Sequence, residues 1–189
     1  MARPLSTDAR DKMLCAAKVI VRQRGLSAFT VDAVAAESGV AKTTIYRHFA
    51  SSNELLLAAL SETVDAVPDI DTGDTQRDLT ELMHQYVSMA SGPGMQQLFT
   101  AVMQRAASDD DFGRLHQGLI AERKLPLRRA IQRGMAAGMI DPTIDIDIVA
   151  ALLEGPLIAR VMHDRGEFRP CEIEQIVELV LRAVEPTGT

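Results

Sequence analysis

Tryptophan is absent from the 189 residues, and aromatics of all kinds make up only 4% of the chain. With so few aromatics and almost no β-branched alternation, a substantial β-sheet is excluded. Cysteine occurs twice, at Cys15 and Cys171. The two are far apart and neither has metal-type neighbour spacing, so no disulfide framework and no metal site are expected. The longest apolar runs, Leu55–Leu60 and Ile148–Leu153, are six residues each. A membrane-spanning helix needs about 20, so no membrane partner is expected. The opening MARPLSTDARDK lacks the apolar stretch of a secretory signal, and a reduced, cytoplasmic protein is the expectation. Also missing are G-x-S-x-G, a P-loop, H-E-x-x-H and any paired carboxylate–histidine motif. The chain is therefore not expected to be an enzyme, and no cofactor is expected.

What the chain does have is apolar residues, at 47%, enough to build a packed core. Its formal charge is −6, unevenly distributed: residues 1–50 carry eight basic and four acidic side chains, a net +4, and the remainder is −10. An acidic protein with a basic head is unsuited to coating nucleic acid over its whole surface. The head alone can neutralise phosphates locally, although a solvated first helix would show the same excess.

Nearly everything has helical periodicity, so the fold class is all-α. Met13, Ala16, Ala17 and Ile20 recur on one face of a first helix over Thr7–Arg24, with Gly25 as its natural stop. A second helix opens after Thr30, a good N-cap, with Asp32 in its first turn, and stops near Ser38-Gly39. A third runs from about Ala41 to His48. A fourth opens at Ser51, where Ser51 and Glu54 make an S-x-x-E capping box. Breaks at Ser91–Gly94, Ser108–Asp111, Gly138–Thr143 and Arg165–Pro170 leave five later helices, or six if Pro126 splits one.

The densest signal is Thr30–Phe49, TVDAVAAESGVAKTTIYRHF. Two short helices crossing steeply need a small residue at their approach, which Ala35 supplies. Their turn needs a residue tolerant of left-handed φ, which Gly39 supplies. Val34, Val40 and Ile45 fit as the buried flank, with Phe49 in the core. The third helix then shows Lys42, Thr43, Thr44, Tyr46, Arg47 and His48 outward, all able to donate to phosphates or base edges.

These residues resemble the DNA-binding head of the TetR/AcrR family of bacterial transcriptional regulators. The likeness rests on Thr30 opening helix two, the Gly39-Val40 turn, Tyr46-Arg47-His48-Phe49 closing helix three, and Met13-Leu14-Cys15-Ala16-Ala17 with Arg24-Gly25 in helix one. It covers roughly residues 8–60. It implies that Lys42, Thr43, Thr44 and Tyr46 meet bases or nearby phosphates, and that Thr30, Arg47 and His48 position the backbone. A basic arm at Arg3 and Arg10 would add phosphate or minor-groove contacts, with a disordered tail as the competing reading of Arg3. One departure stands out: family members often carry Pro-Ser-Lys after the Phe, where this chain has Ala50-Ser51-Ser52. Phosphate anchoring from helix four then falls to Ser52, Asn53 or the backbone N–H groups.

A weaker resemblance, over Ala130–Leu157, is to the family's C-terminal ligand-binding and dimerisation domain. The resemblance implies an N-terminal three-helix helix-turn-helix domain over 1–50, a connecting helix over 51–67 and a helical effector-binding and dimerisation domain over 68–189. Seven of nine methionines lie between Met83 and Met162. Met83, Met89, Phe99, Met103, Met135 and Met139 are candidates to line an effector pocket, with ordinary core packing as the competing reading. His84, His116 and His163 are scattered without metal spacing. Asp109-Asp110-Asp111 suits helix capping, and Arg123-Lys124 with Arg128-Arg129 suits a solvated face. The last two helices carry apolar stripes, Ile146, Val149, Leu153 and Leu157 on one, and Ile173, Ile176, Val177, Val180 and Val184 on the other. Burial within one chain would explain both stripes, and the resemblance tips them to a homodimer interface. The functional expectation is a ligand-responsive regulator, a repressor, that binds a near-palindromic double-stranded DNA operator as a homodimer and is released by an unknown small-molecule effector. The alternative is a helical small-molecule sensor without sequence-specific DNA binding, favoured only by Ser52.

Overall fold

The computed structural model describes residues 7–62, 67–91, 94–160 and 168–186. Arg3, residues 63–66 of the expected connecting helix, Gly92-Pro93, Met162, His163 and the first half of the 165–170 break lie outside them. The described residues form ten α-helices and no strand, as the all-α reading expects. They are α1 (Thr7–Arg24), α2 (Val31–Ser38), α3 (Lys42–His48), α4 (Ser52–Ser61), α5 (Thr75–Ala90), α6 (Met95–Ser108), α7 (Asp110–Arg123), α8 (Leu125–Ala136), α9 (Ile146–Ala159) and α10 (Pro170–Ala183).

The helical pattern is split next to Pro126, with α7 ending at Arg123 and α8 starting at Leu125, which gives six later helices among the described residues. Pro126 sits in the first turn of α8, where its missing N–H had no intrahelical partner to lose. Pro156 lies inside α9, a placement that helix propensity argues against, on the exposed side of the helix.

The chain divides into two compact units, 1–65 with 97–120, and 66–96 with 121–189. The boundary expected at 67/68 puts α6 and α7 in the C-terminal body, whereas most of both helices packs with the head. The cause is two apolar side chains: Val102 of α6 and Phe112 of α7 are buried in the same core as Met13, Ile20, Val34, Ile45, Phe49 and Leu56. The Arg105 guanidinium lies 5.2 Å above the Phe112 ring. Helices α6 and α7 approach so closely that a Cβ at Gly113 would stand 2.8 Å from the Ala106 carbonyl oxygen.

The second unit is built on Leu79, Leu82, Leu127, Ile131, Val149, Leu153, Ile173 and Val177, drawn from α5, α8, α9 and α10. Most of the residues assigned to the interface belong to this core, which favours the competing reading of burial within one chain. Val149, Leu153, Leu157, Ile173, Val177 and Val180 are all buried within the chain, and Ile146 and Ile176 pack against them. Helix α9 is apolar apart from Asp147 and Glu154, and α5, α8 and α10 pack against it. The residues left outside are Ile148 (57% exposed), Leu152 (45%) and Ile158 (49%) on α9, with Leu179 (59%) on α10.

Polar contacts tie this unit together. Lys124 pairs with Glu154 at 2.5 Å, Arg160 with Glu172 at 2.8 Å, and Arg128 with Asp147. The Tyr86 hydroxyl donates to the Arg123 carbonyl oxygen at 3.0 Å, and burial, helped by the Glu154 charge, pushes the phenol up to about 12. Buried Asp78 accepts from the Thr72 N–H at 2.9 Å and hydroxyl at 2.7 Å.

Candidate nucleic-acid interface

The corner forms for the reasons its sequence suggests. Thr30 caps α2, its hydroxyl accepting from the Ala33 N–H at 3.0 Å. Gly39 ends α2 at φ 69°, ψ 11°, its N–H bonded to the Ala35 carbonyl at 3.0 Å. That left-handed geometry costs any side chain about 1–2 kcal/mol, which is why glycine stands there. The Ser38 hydroxyl closes the turn, donating to the Val34 carbonyl at 2.6 Å and accepting from the Val40 N–H at 3.2 Å. Ile45 and Phe49 are buried on the inner side of α3.

Anchoring α3 by Ile45 and Phe49 turns the intervening side chains outward. Lys42, Thr43, Tyr46 and Arg47 are exposed, Tyr46 at 56%, and Thr44 is half-buried. An exposed tyrosine beside two threonines and two cations is poorly suited to packing and well suited to a groove of stacked bases and phosphates. His48 is less open than Tyr46 and Arg47 beside it on α3. It is half-buried, its ring lies 6.4 Å from that of Phe49, and its Nε2 is buried without a hydrogen-bond partner among the described residues. Arg10, expected on a DNA-contacting arm, instead pairs with Glu62 at 3.3 Å and lies 5.8 Å over the Phe49 ring.

Helix α4 begins at the expected cap. Ser51 accepts from the Glu54 N–H at 3.1 Å, and Glu54 accepts in return from the Ala50 N–H at 2.6 Å, one residue earlier than a capping box places it. Ser52 is half-buried. Asn53 is withdrawn from any phosphate contact: it is 7% exposed, and its amide nitrogen donates to Asp109 at 3.2 Å and Asp111 at 3.4 Å. Its side-chain oxygen accepts from Arg105 at 2.7 Å. Asp109 also caps α7 through the Phe112 N–H at 3.0 Å. That bond, then the Asn53 amide and Arg105, hold its carboxyl below the usual carboxylate value. The cap is visible in the sequence. The polar cluster is not, because Asn53 lies 52 to 58 residues from its partners.

The six residues expected to line a pocket are divided between the two units. Phe99 and Met103 fall in the first unit, where Met103 packs against the core. In the second unit Met83 is fully buried core and Met135 packs against it, Met89 is half-buried, and Met139 is 47% exposed. An open polar groove of about 700 Å³ runs along α5 in the second unit, lined by Arg77, Thr80, Glu81 and His84 among others. No group of three or more potential metal ligands occurs among the described residues, and no helix there is long and apolar enough to cross a membrane.

Comparison with known proteins agrees with this geometry. Residues 14–59 match the family model described as bacterial regulatory proteins, tetR family. Residues 69–180 match a tetracyclin repressor-like C-terminal domain. A DNA-binding transcriptional repressor TetR of Mycobacteroides abscessus is 32% identical over 79% of this chain and 86% of its own. Among solved structures, the flavonoid-responsive regulator FrrA superposes with a TM-score of 0.72 at 21% identity, over 97% of this chain and all of that one. The regulator FadR of Bacillus subtilis, solved with stearoyl-CoA, gives 0.68 at 16% identity, over 93% and 99% of the two chains. More than half of the sequence lies within one family model and the helix-turn-helix head within the other, so the chain belongs to the tetR family of bacterial regulatory proteins and is a transcriptional regulator with a DNA-binding N-terminal domain and a ligand-binding C-terminal domain.

Proposed function

We propose that this regulator acts in the cytoplasm as a homodimeric repressor. It sets the α3 helices of two copies into successive major grooves of a near-palindromic operator and leaves the DNA when a small molecule binds the C-terminal domain. The observation that carries the reading is the outward face of α3, where Thr43, Tyr46 and Arg47 stand exposed around the buried anchors Ile45 and Phe49. Thr43, near the helix start, is positioned for base edges, and Tyr46 and Arg47 for bases or phosphates. Thr30 supports this face as the cap of α2.

The dimer face is the stripe that the core leaves uncovered: Ile148, Leu152 and Ile158 of α9 with Leu179 of α10. Large apolar side chains spaced along one helix face and left in water mark an interaction surface, and a closed two-fold dimer buries the same stripe on both copies.

FrrA is named as flavonoid-responsive and FadR was solved with stearoyl-CoA. Both names favour a lipophilic effector here. The effector must favour one separation of the two heads over the other; a coupling of about 1–3 kcal/mol then gives a 5- to 150-fold change in operator affinity.

The test is a binding titration on duplexes selected by the protein from random DNA. Thr43→Ala and Tyr46→Ala lower affinity for the selected sequence by about 1–3 kcal/mol each and relax its sequence preference. Wild-type binding falls linearly in log K against log salt. Variants that bind as tightly as wild type would overturn the role given to α3.

A further inference from the structure

The first residue of the recognition helix is not a free cation. Lys42 is ion-paired with Asp32 in the first turn of α2, across the turn of the motif, and the two side chains are 57% and 71% exposed. The rest of the head is matched in the same way. Arg10 and Lys18 share Glu62, Lys12 pairs with Asp8, and Arg24 with Glu37. Among the described residues of the head, Arg22 and Arg47 alone of the cations have no ion pair. Five of the seven described cations of residues 1–50 are therefore held in ion pairs within the protein before any DNA arrives, although the pairs made inside this segment leave its net +4 unchanged.

We propose that Asp32 is an internal stand-in for a DNA phosphate: it holds the Lys42 ammonium until a phosphate displaces it, and so restrains binding to DNA of any sequence. The proposal rests on the reading of α3 as the recognition helix. A lysine ammonium offers three donors and no geometric fork, so it exchanges one oxyanion for another readily. When Lys42 turns to a phosphate, the new attraction is offset by the loss of the old one, and the freed Asp32 carboxylate stays close to the polyanion. An exposed pair of this kind amounts to about a two- to fivefold change in an equilibrium constant. That penalty is independent of sequence. Its use is to lower the backbone contribution that captures random DNA, which outnumbers any operator, and to leave recognition to the uncharged contacts of Thr43 and Tyr46.

The experiment measures fluorescence anisotropy of the full-length protein on two labelled duplexes, one of mixed sequence and one selected by wild type, over a range of salt. Four proteins are compared: wild type, Asp32→Asn, Lys42→Met and the double variant, with circular dichroism confirming equal helix content. Asp32→Asn binds both duplexes about two- to fivefold more tightly at low salt, the gain shrinks as salt rises, and Lys42→Met abolishes it. Asp32→Asn binding like wild type overturns the proposal. So does a gain that persists in the Lys42→Met background, because that would be a mere change of net charge. Wild type that binds neither duplex in a salt-dependent way overturns the recognition-helix reading itself, and this proposal with it, an outcome distinct from the other two.

Discussion

The Asn53 side-chain oxygen accepts a 2.7 Å hydrogen bond from the Arg105 guanidinium, and with it the start of α4 is fastened to the end of α6. The asparagine amide is held at the same time by Asp109 and Asp111 at the start of α7. One buried side chain thus closes a polar cluster drawn from three helices. A buried polar group is inexpensive only while its partners are present.

Asn53→Ala leaves the Arg105 donor and two carboxylates without their shared partner. The expected loss is about 1–3 kcal/mol of stability, seen as an earlier urea midpoint with an unchanged slope. Ser52→Ala, one position earlier and half-buried, stays within about 0.5 kcal/mol of wild type. Equal losses in the two variants would show that the cluster does not fasten α4.

Gly113→Ala is destabilising by about 1–3 kcal/mol, measured by the same denaturation. The added methyl would meet the Ala106 carbonyl oxygen at 2.8 Å, and a backbone atom in a helix cannot swing away as a side-chain tip can. Gly118, on the same helix with open space around its Cβ position, tolerates alanine and gains helix propensity. A Gly113→Ala protein as stable as wild type would mean that α6 and α7 can separate freely.

These two glycines and their neighbours show what the sequence can and cannot display. Gly39 is legible because its requirement is local: a cap, a turn and a following apolar residue lie within a few positions, and the same is true of Thr30, Ser51 and Asp109. Gly113 is not, because its requirement comes from a carbonyl on another helix. Asn53 reads as a phosphate contact because its position at the start of α4 is all that the sequence displays, and its partners are more than 50 residues away. The stripes on α9 and α10 are legible as apolar. Which stripe the chain buries depends on where α5 and α8 lie, and periodicity along α9 alone does not contain that.

Acid sensitivity of the second unit is expected to report on Glu172. The Arg169 N–H at 2.9 Å is the largest influence on its carboxylate, followed by the Arg169 guanidinium and then Arg160, and together they bring it from 4.5 down to about 2. Its folded value lies below its unfolded value, so its stabilising contribution is complete above about pH 4.5 and is lost as pH falls from there toward 2. Stability measured against pH should therefore fall more steeply in wild type than in Glu172→Gln within that window, and the two curves should run parallel above it. Parallel curves throughout would mean that the α10 cap is not made in solution.

The sharpest separation of the expected and observed interfaces comes from two neighbouring turns of α9. Leu152 is 45% exposed and Val149 is fully buried, although both belong to an unbroken apolar sequence. If the uncovered stripe is the dimer face, Leu152→Glu places a charge in the contact between copies and leaves the core of each copy untouched. The expected product is a folded monomer by sedimentation, with wild-type helix content and an operator affinity reduced because only one head binds at a time. Val149→Glu places the same charge inside the second core with no partner, and the protein loses several kcal/mol and fails to fold stably. Had the buried stripe been the interface, the outcomes would exchange: Val149→Glu would give the folded monomer and Leu152→Glu a wild-type dimer. A Leu152→Glu protein that remains dimeric therefore removes α9 from the interface, whatever Val149→Glu does.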